Sequence, residues 1–178
     1  MIYGERIRLR AIERSDLQRF VAWLNDPEVY KNLLIYLPLS QTEEEEWYEN
    51  MLTRSKDEHP MVIEIQQKED WLPIGNCGFI NIDWRSRSGD VGIFIGEKQL
   101  WNKGYGTEAM RLLLKHGFNT LNLNRVALEV YATNSRGIRS YEKAGFIHEG
   151  GKREAIFCDG KYIDLLQMSV LRKEWEDR

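Results

Sequence analysis

Val91-Gly92-Ile93-Phe94-Ile95-Gly96-Glu97-Lys98-Gln99-Leu100-Trp101-Asn102-Lys103-Gly104-Tyr105-Gly106-Thr107-Glu108-Ala109 reads as a strand, a glycine turn and the opening of an apolar-periodic run that continues to Phe118. Strand, glycine turn and helix in that order suit an anion. The first backbone N–H groups of a helix have no intrahelical partner, and the helix dipole adds partial positive charge where they point. Gly104 and Gly106 let a phosphate approach that backbone with no Cβ in the way. The same two glycines could equally do no more than turn the chain, and local spacing alone leaves both readings open.

Residues on either side of the glycines narrow the kind of phosphate ligand. A P-loop of the Walker type needs Lys-Ser/Thr directly after its second glycine, whereas Gly106 is succeeded by Thr107-Glu108 and Lys103 precedes both glycines. A dinucleotide fingerprint tolerates Ala109 in its third glycine position, but it opens a domain near the first strand, and too little chain remains here to build one.

A second segment decides between the remaining possibilities: Asn134-Ser135-Arg136-Gly137-Ile138-Arg139-Ser140-Tyr141-Glu142-Lys143-Ala144-Gly145-Phe146. In order and separation, the two segments resemble the GNAT acyltransferases, whose pyrophosphate loop reads Gln/Arg-x-x-Gly-x-Gly/Ala and whose later helix carries Asn and Tyr before Gly-Phe. Trp101 stands where that loop has Gln or Arg, a departure similar to the RimJ/RimL-type branch. With Ile7-Arg8-Leu9-Arg10 near the start, the resemblance covers nearly the whole chain.

The resemblance implies an N-acetyltransferase that moves the acetyl group of acetyl-CoA directly to a primary amine, with no covalent enzyme intermediate and no metal. It implies that the loop from Trp101 through Asn102, Lys103, Gly104, Tyr105 and Gly106 to Thr107 holds the pyrophosphate. It further implies that main-chain groups of Phe94 and Ile95 pair with the pantetheine arm, and that Asn134 bonds the pantetheine or the acceptor side. Tyr141 takes the position of the acid that protonates the departing CoA thiolate, a task a phenol suits because it is protonated at neutral pH. Asp90 takes the strand position of the general base in members that have one, though it is a methylene shorter than Glu and would act through a water. A simply solvated strand-edge carboxylate is the other reading of Asp90. For Tyr141 the other reading is a tyrosine packed on the sheet.

The remaining sequence sets the frame. At 178 residues the chain suits a single domain, 1–178, with a sizeable core. The net charge of −3 offers nothing to a nucleic acid. No apolar run approaches the ~20 residues of a membrane span, and the N-terminus lacks the apolar core of a signal peptide. Cys77 and Cys158 have neither metal nor redox spacing, so they are expected as free thiols in a cytoplasmic, soluble protein. Ser15 to Gln18 and Ser40 to Glu43 read as capping boxes, each opening a helix. Glu43-Glu44-Glu45-Glu46 reads as a solvated helix face, or alternatively as an acidic patch for a cationic acceptor such as a polyamine. Strands are expected at Met61 to Ile65, Ile74 to Asp83, Asp90 to Ile95 and Arg125 to Tyr131, with a turn over Gln66 to Trp71. The two last segments, Phe146 to Phe157 and Tyr162 to Leu171, meet at Asp159-Gly160, which suits a type I′ hairpin; its apolar residues could serve the core or pair across a homodimer. The sum is an α/β (α+β) fold, a mixed and mostly antiparallel central sheet with helices on both faces. The acceptor could be a protein N-terminal amine, a polyamine or an amino sugar. A noncatalytic acyl-CoA-binding module and a nucleotide-binding protein are the competing readings.

Overall fold

The computed structural model of the protein describes residues 1–68 and 70–176. Among the described residues, eight strands form one sheet in the order β1-β2-β3-β4-β5-β6-β8-β7. These are β1 (Ile2–Tyr3), β2 (Ile7–Ala11), β3 (Met61–Gln67), β4 (Asp70–Asp83), β5 (Ser88–Ile95), β6 (Arg125–Tyr131), β7 (Ile147–Cys158) and β8 (Lys161–Leu171). Every pairing is antiparallel except β5 with β6. That exception stems from the helix between them, because only a crossover connection brings two successive strands parallel.

Helices cover both faces. On one face α4 (Tyr105–Asn119) buries Ala109, Met110, Leu113, Leu114 and Phe118 against Ile7, Leu9, Ile63 and Val126, and α5 (Ser135–Ala144) lies beside it. On the other face α1 (Leu17–Leu24) packs Leu17, Phe20 and Trp23 over Val62 and Phe94, followed by α2 (Pro27–Tyr30) and α3 (Gln41–Leu52). A last helix, α6 (Arg172–Glu176), sets Trp175 on Phe118. No helix among the described residues is long and apolar enough to cross a membrane.

Several local signals act as expected. Ser40 and Glu43 form a reciprocal capping box at the start of α3. Asn134 caps α5 by accepting from the Gly137 N–H at 3.0 Å, and Gly145 ends that helix at φ +113°. Asp159 and Gly160 both have positive φ, as a type I′ hairpin requires. Three expectations are corrected. The cap at Ser15 to Gln18 falls earlier: Asp16 Oδ2 accepts from the Glu13 N–H at 2.8 Å while Arg10 holds both carboxylate oxygens, so a 3-10 turn precedes α1. The turn over Gln66 to Trp71 is shorter, since β3 runs to Gln67 and β4 begins at Asp70; Glu69 lies outside the described residues, as do 177–178. The acidic run of α3 is not solvated throughout: Glu44 is only 4% exposed, and burial pushes its carboxyl up to about 7. Helical period places Glu44 on the stripe of Trp47, Tyr48 and Met51, so packing of that stripe on α1 takes Glu44 with it.

Candidate active site

The site starts where β5 and β6 part. They pair at only three positions, Ser88 with Arg125, Gly89 with Val126 and Asp90 with Ala127. Beyond Asp90 the two strands fork, while β5 stays paired with β4 as far as Ile95. Backbone groups on the open side of β5 are left to find other partners. Alternation along an antiparallel pair identifies these groups. Gly96 N–H donates to Ile74 O on the β4 side at 2.8 Å. Phe94, two residues earlier, therefore turns its main-chain groups to β4, and Ile93 and Ile95 turn theirs to the fork. Of the two positions expected to pair with a pantetheine arm, Ile95 thus faces the opening and Phe94 does not. The Ile95 carbonyl already accepts from the indole N–H of Trp101 at 2.8 Å.

The fork continues into a cavity of about 1140 Å³. Its first wall is the glycine loop with the starts of α4 and α5. Gly104 caps α4 at φ +87° and Asn102 precedes it at φ +61°, both in the left-handed region, where a glycine is favoured. Gly106 faces the α4–α5 contact, where a Cβ would lie at ordinary van der Waals distance, 3.5 Å, from Ser140 Oγ, and Thr107 Oγ1 lies 3.0 Å from that same hydroxyl. The second wall is the α2–α3 segment, with Leu33 and Leu34, facing Ile80, Ile156 and Leu165 of the sheet. Tyr131 ties this wall down, its hydroxyl donating to the Leu33 carbonyl at 3.2 Å.

Tyr141 reaches the cavity from the middle of α5, half-buried, its ring in edge contact with Phe146 at 6.0 Å. Burial pushes its phenol up to about 12, the Arg136 cation partly offsetting this. The hydroxyl makes no hydrogen bond among the described residues and so stays available. Ten of the twelve residues expected at the site line the cavity: Phe94, Ile95, Trp101, Asn102, Gly104, Tyr105, Gly106, Thr107, Asn134 and Tyr141. Lys103 does not, and its carbonyl accepts from Arg6 Nη1 at 3.0 Å. Asp90 does not either. It sits exposed at the last paired position before the fork, where its charge is felt by Arg125, outside the lining that includes Tyr141.

Sequence reasoning passed over the basic lining. Arg6, Arg111, Lys115, Arg136, Arg139 and Lys143 line the cavity against three acids, Glu5, Glu108 and Glu129. Arg136 stacks on Trp101 with its guanidinium carbon 3.5 Å from the ring centroid, and burial lowers its pKa. The spacing of Arg136, Arg139 and Lys143 at three and four residues on α5 was the available signal. The lining suits a polyphosphate: left-handed glycine at a helix N-terminus, positive excess, and an open strand edge for an amide-rich chain.

A forked sheet with a glycine-turned helix N-terminus at its mouth and a half-buried phenol beside it defines a transferase that uses an acyl-CoA. Comparison with known proteins agrees. Residues 6–147 match the family model described as the acetyltransferase (GNAT) domain, and the chain belongs to that family. It is 30% identical over 175 residues to the spermidine N(1)-acetyltransferase of Vibrio cholerae, covering 98% of each chain. It is 36% identical over 103 residues to the putative ribosomal N-acetyltransferase YdaF of Bacillus subtilis, covering 56% of each. The crystal structure of the Vibrio cholerae spermidine N-acetyltransferase in complex with CoA and spermine superposes with a TM-score of 0.87 at 28% identity, over 97% of this chain and 99% of that one. The protein is an acetyl-CoA-dependent N-acetyltransferase.

Proposed function

We propose that this enzyme acetylates a primary amine carried on a compact, largely apolar body, with Tyr141 as the general acid. The observation that carries the acid is the Tyr141 hydroxyl, which faces the cavity with no protein partner among the described residues and keeps its proton across the working pH range. Proximity of donor and acceptor in the fork supplies most of the acceleration, and Tyr141 adds the proton for the departing sulfur. On the donor side, the open edge at Ile93 and Ile95 and the loop N–H groups from Asn102 to Thr107 hold and orient acetyl-CoA. Asp90 is not among the residues that line the cavity, so in this reading the amine proton leaves through water.

The acceptor reading rests on the second wall. Its charged side chain is Glu129, and that carboxylate already accepts from Lys152 at 2.5 Å and Gln167 at 3.2 Å. Leu33, Leu34, Ile80, Ile156 and Leu165 line it as well, with Asn32 as a neutral polar neighbour. A polycation would meet one shared carboxylate there and a positive excess on the opposite wall. Polyamine acetylation is the second reading, favoured by the relatives that act on spermidine. The test is initial thiol release from acetyl-CoA with spermidine, amino sugars and short peptides with apolar N-terminal residues. Higher kcat/KM for the apolar amines supports the proposal; higher kcat/KM for spermidine replaces it with the polyamine reading.

A further inference from the structure

We propose that Arg6, in the turn between β1 and β2, is a positioning residue for the pyrophosphate loop. It acts by neutralising Glu108 and by holding the loop backbone in its binding shape. The inference rests on the donor reading above. Nothing in the loop's own sequence points to Arg6, which lies 97 residues before Lys103 and 102 before Glu108.

Glu108 sits in the first turn of α4, the helix whose N-terminus faces the donor phosphates. A carboxylate there meets the dipole favourably, but it also repels any phosphate brought to the same N–H groups. Arg6 cancels that repulsion with two hydrogen bonds to the one carboxylate: its backbone N–H to Oε1 at 2.8 Å and its Nε to Oε2 at 2.9 Å. Gly4 makes room for the pair, since an added Cβ would lie 2.8 Å from Glu108 Oε1.

The second contribution is geometric. Arg6 Nη1 donates to the Lys103 carbonyl at 3.0 Å, the guanidinium lies 4.8 Å from the Tyr105 ring centroid, and a Cβ on Gly104 would be 3.2 Å from Nη2. Lys103 stands between Asn102 and Gly104, both with positive φ. A loop with two left-handed residues has alternative peptide orientations nearby, and one of them turns a carbonyl toward the phosphate. With its carbonyl bonded to Arg6, Lys103 is held out of that orientation. Each element of this clamp touches the loop and none touches the reacting atoms, so its effect falls on donor affinity.

The experiment measures Kd by calorimetry for CoA, for dephospho-CoA, which keeps the pyrophosphate, and for pantetheine, which lacks it. Arg6→Ala should weaken CoA and dephospho-CoA by about tenfold, the low end for charge-assisted hydrogen bonds on a half-exposed arginine, and leave pantetheine within twofold. Arg6→Ala/Glu108→Gln should recover a large part of that loss, because the uncompensated carboxylate is gone. Glu108→Gln alone, which keeps Arg6 and needs no refolding of the turn, should bind CoA at least as tightly as wild type. Steady-state kinetics of Arg6→Ala should show the change in KM for acetyl-CoA, with kcat at saturation changed far less. An equal loss for pantetheine would reduce Arg6 to a general structural role and overturn the proposal, as would a double variant as weak as Arg6→Ala or a Glu108→Gln enzyme with weakened CoA binding. Wild-type protein that binds no CoA would overturn the donor reading itself, an outcome distinct from a change confined to the variants.

Discussion

Replacing Tyr141 by Phe removes one oxygen and leaves the ring, and the structure says what each should be worth. The ring packs against Phe146 at 6.0 Å and joins the core on the α4 face, contacts that Phe retains. The hydroxyl makes no protein hydrogen bond among the described residues, so its loss should change stability by less than about 0.5 kcal/mol, below the ~1 kcal/mol typical of a buried hydrogen bond. Catalysis is a different matter. A positioned general acid is worth about 10²–10⁴-fold, and a thiolate is a good enough leaving group to place this case near the lower end, about 10²-fold in kcat or ~2.7 kcal/mol. The assay is thiol release at saturating acetyl-CoA, beside calorimetric CoA binding and thermal unfolding of both proteins. With the phenol pushed up to about 12, no loss of wild-type rate below about pH 11 should be traceable to its ionisation. A kcat drop under threefold would refute the assignment. So would a CoA affinity that falls in proportion to kcat, or a basic limb near pH 9 that disappears in the Phe variant.

Glu44 should make stability depend on pH. Burial raises its folded pKa from 4.5 to about 7, so the folded state binds the proton more tightly, and stability present below about pH 4.5 is lost as pH rises toward 7. The ceiling is roughly 3 kcal/mol at ~1.36 kcal/mol per pK unit, and Glu44→Gln should flatten melting temperature between pH 5 and 8; an unchanged slope would show the carboxyl is not buried. Tyr131→Phe frees the Leu33 carbonyl, and loss of ~1 kcal/mol of hydrogen bonding should raise KM for the amine several-fold with KM for acetyl-CoA unchanged; equal shifts in both would place that wall outside the acceptor site. Hydrogen exchange at Ile93 and Ile95 should slow when CoA binds, while Phe94, already turned toward β4, should be slow from the start; slowing at Phe94 instead would reverse the assignment of the open edge.

How much the sequence disclosed depended on whether a feature is local. Gly104, Gly145 and Asp159-Gly160 mark positions of positive φ, and Ser40 with Glu43 completes a cap within one turn of chain, so residue type alone announces them. Alternation and helical period placed the strands and α4 for the same reason. Features decided by distant partners were hidden. Glu44 reads as solvent-facing by charge, yet the helix stripe it shares with Met51 is turned onto α1. Arg6 carries no motif, and its meaning comes from Glu108 and Lys103 on the far side of the chain. Asp90 has the expected strand position, but the number of residues β5 and β6 pair before parting decides where the fork opens relative to it, and no residue pattern encodes that number.

The fork itself connects these observations. Parallel pairing that stops after Asp90 leaves a donor-binding edge, a space for the acceptor and a path for the Tyr141 hydroxyl to reach both. A sheet paired along its whole length would have none of the three. Keeping the fork open requires anchors on each side that do not fill it. Trp101 supplies one by bonding the Ile95 carbonyl, Tyr131 another by holding Leu33 against β6, and Arg6 a third at the loop. All three bond to backbone carbonyls, which fixes main-chain shape while leaving the cavity's side chains free to differ among acceptors. Substitutions at these anchors should therefore alter affinity for donor or acceptor, whereas substitution of Tyr141 should alter the chemical step.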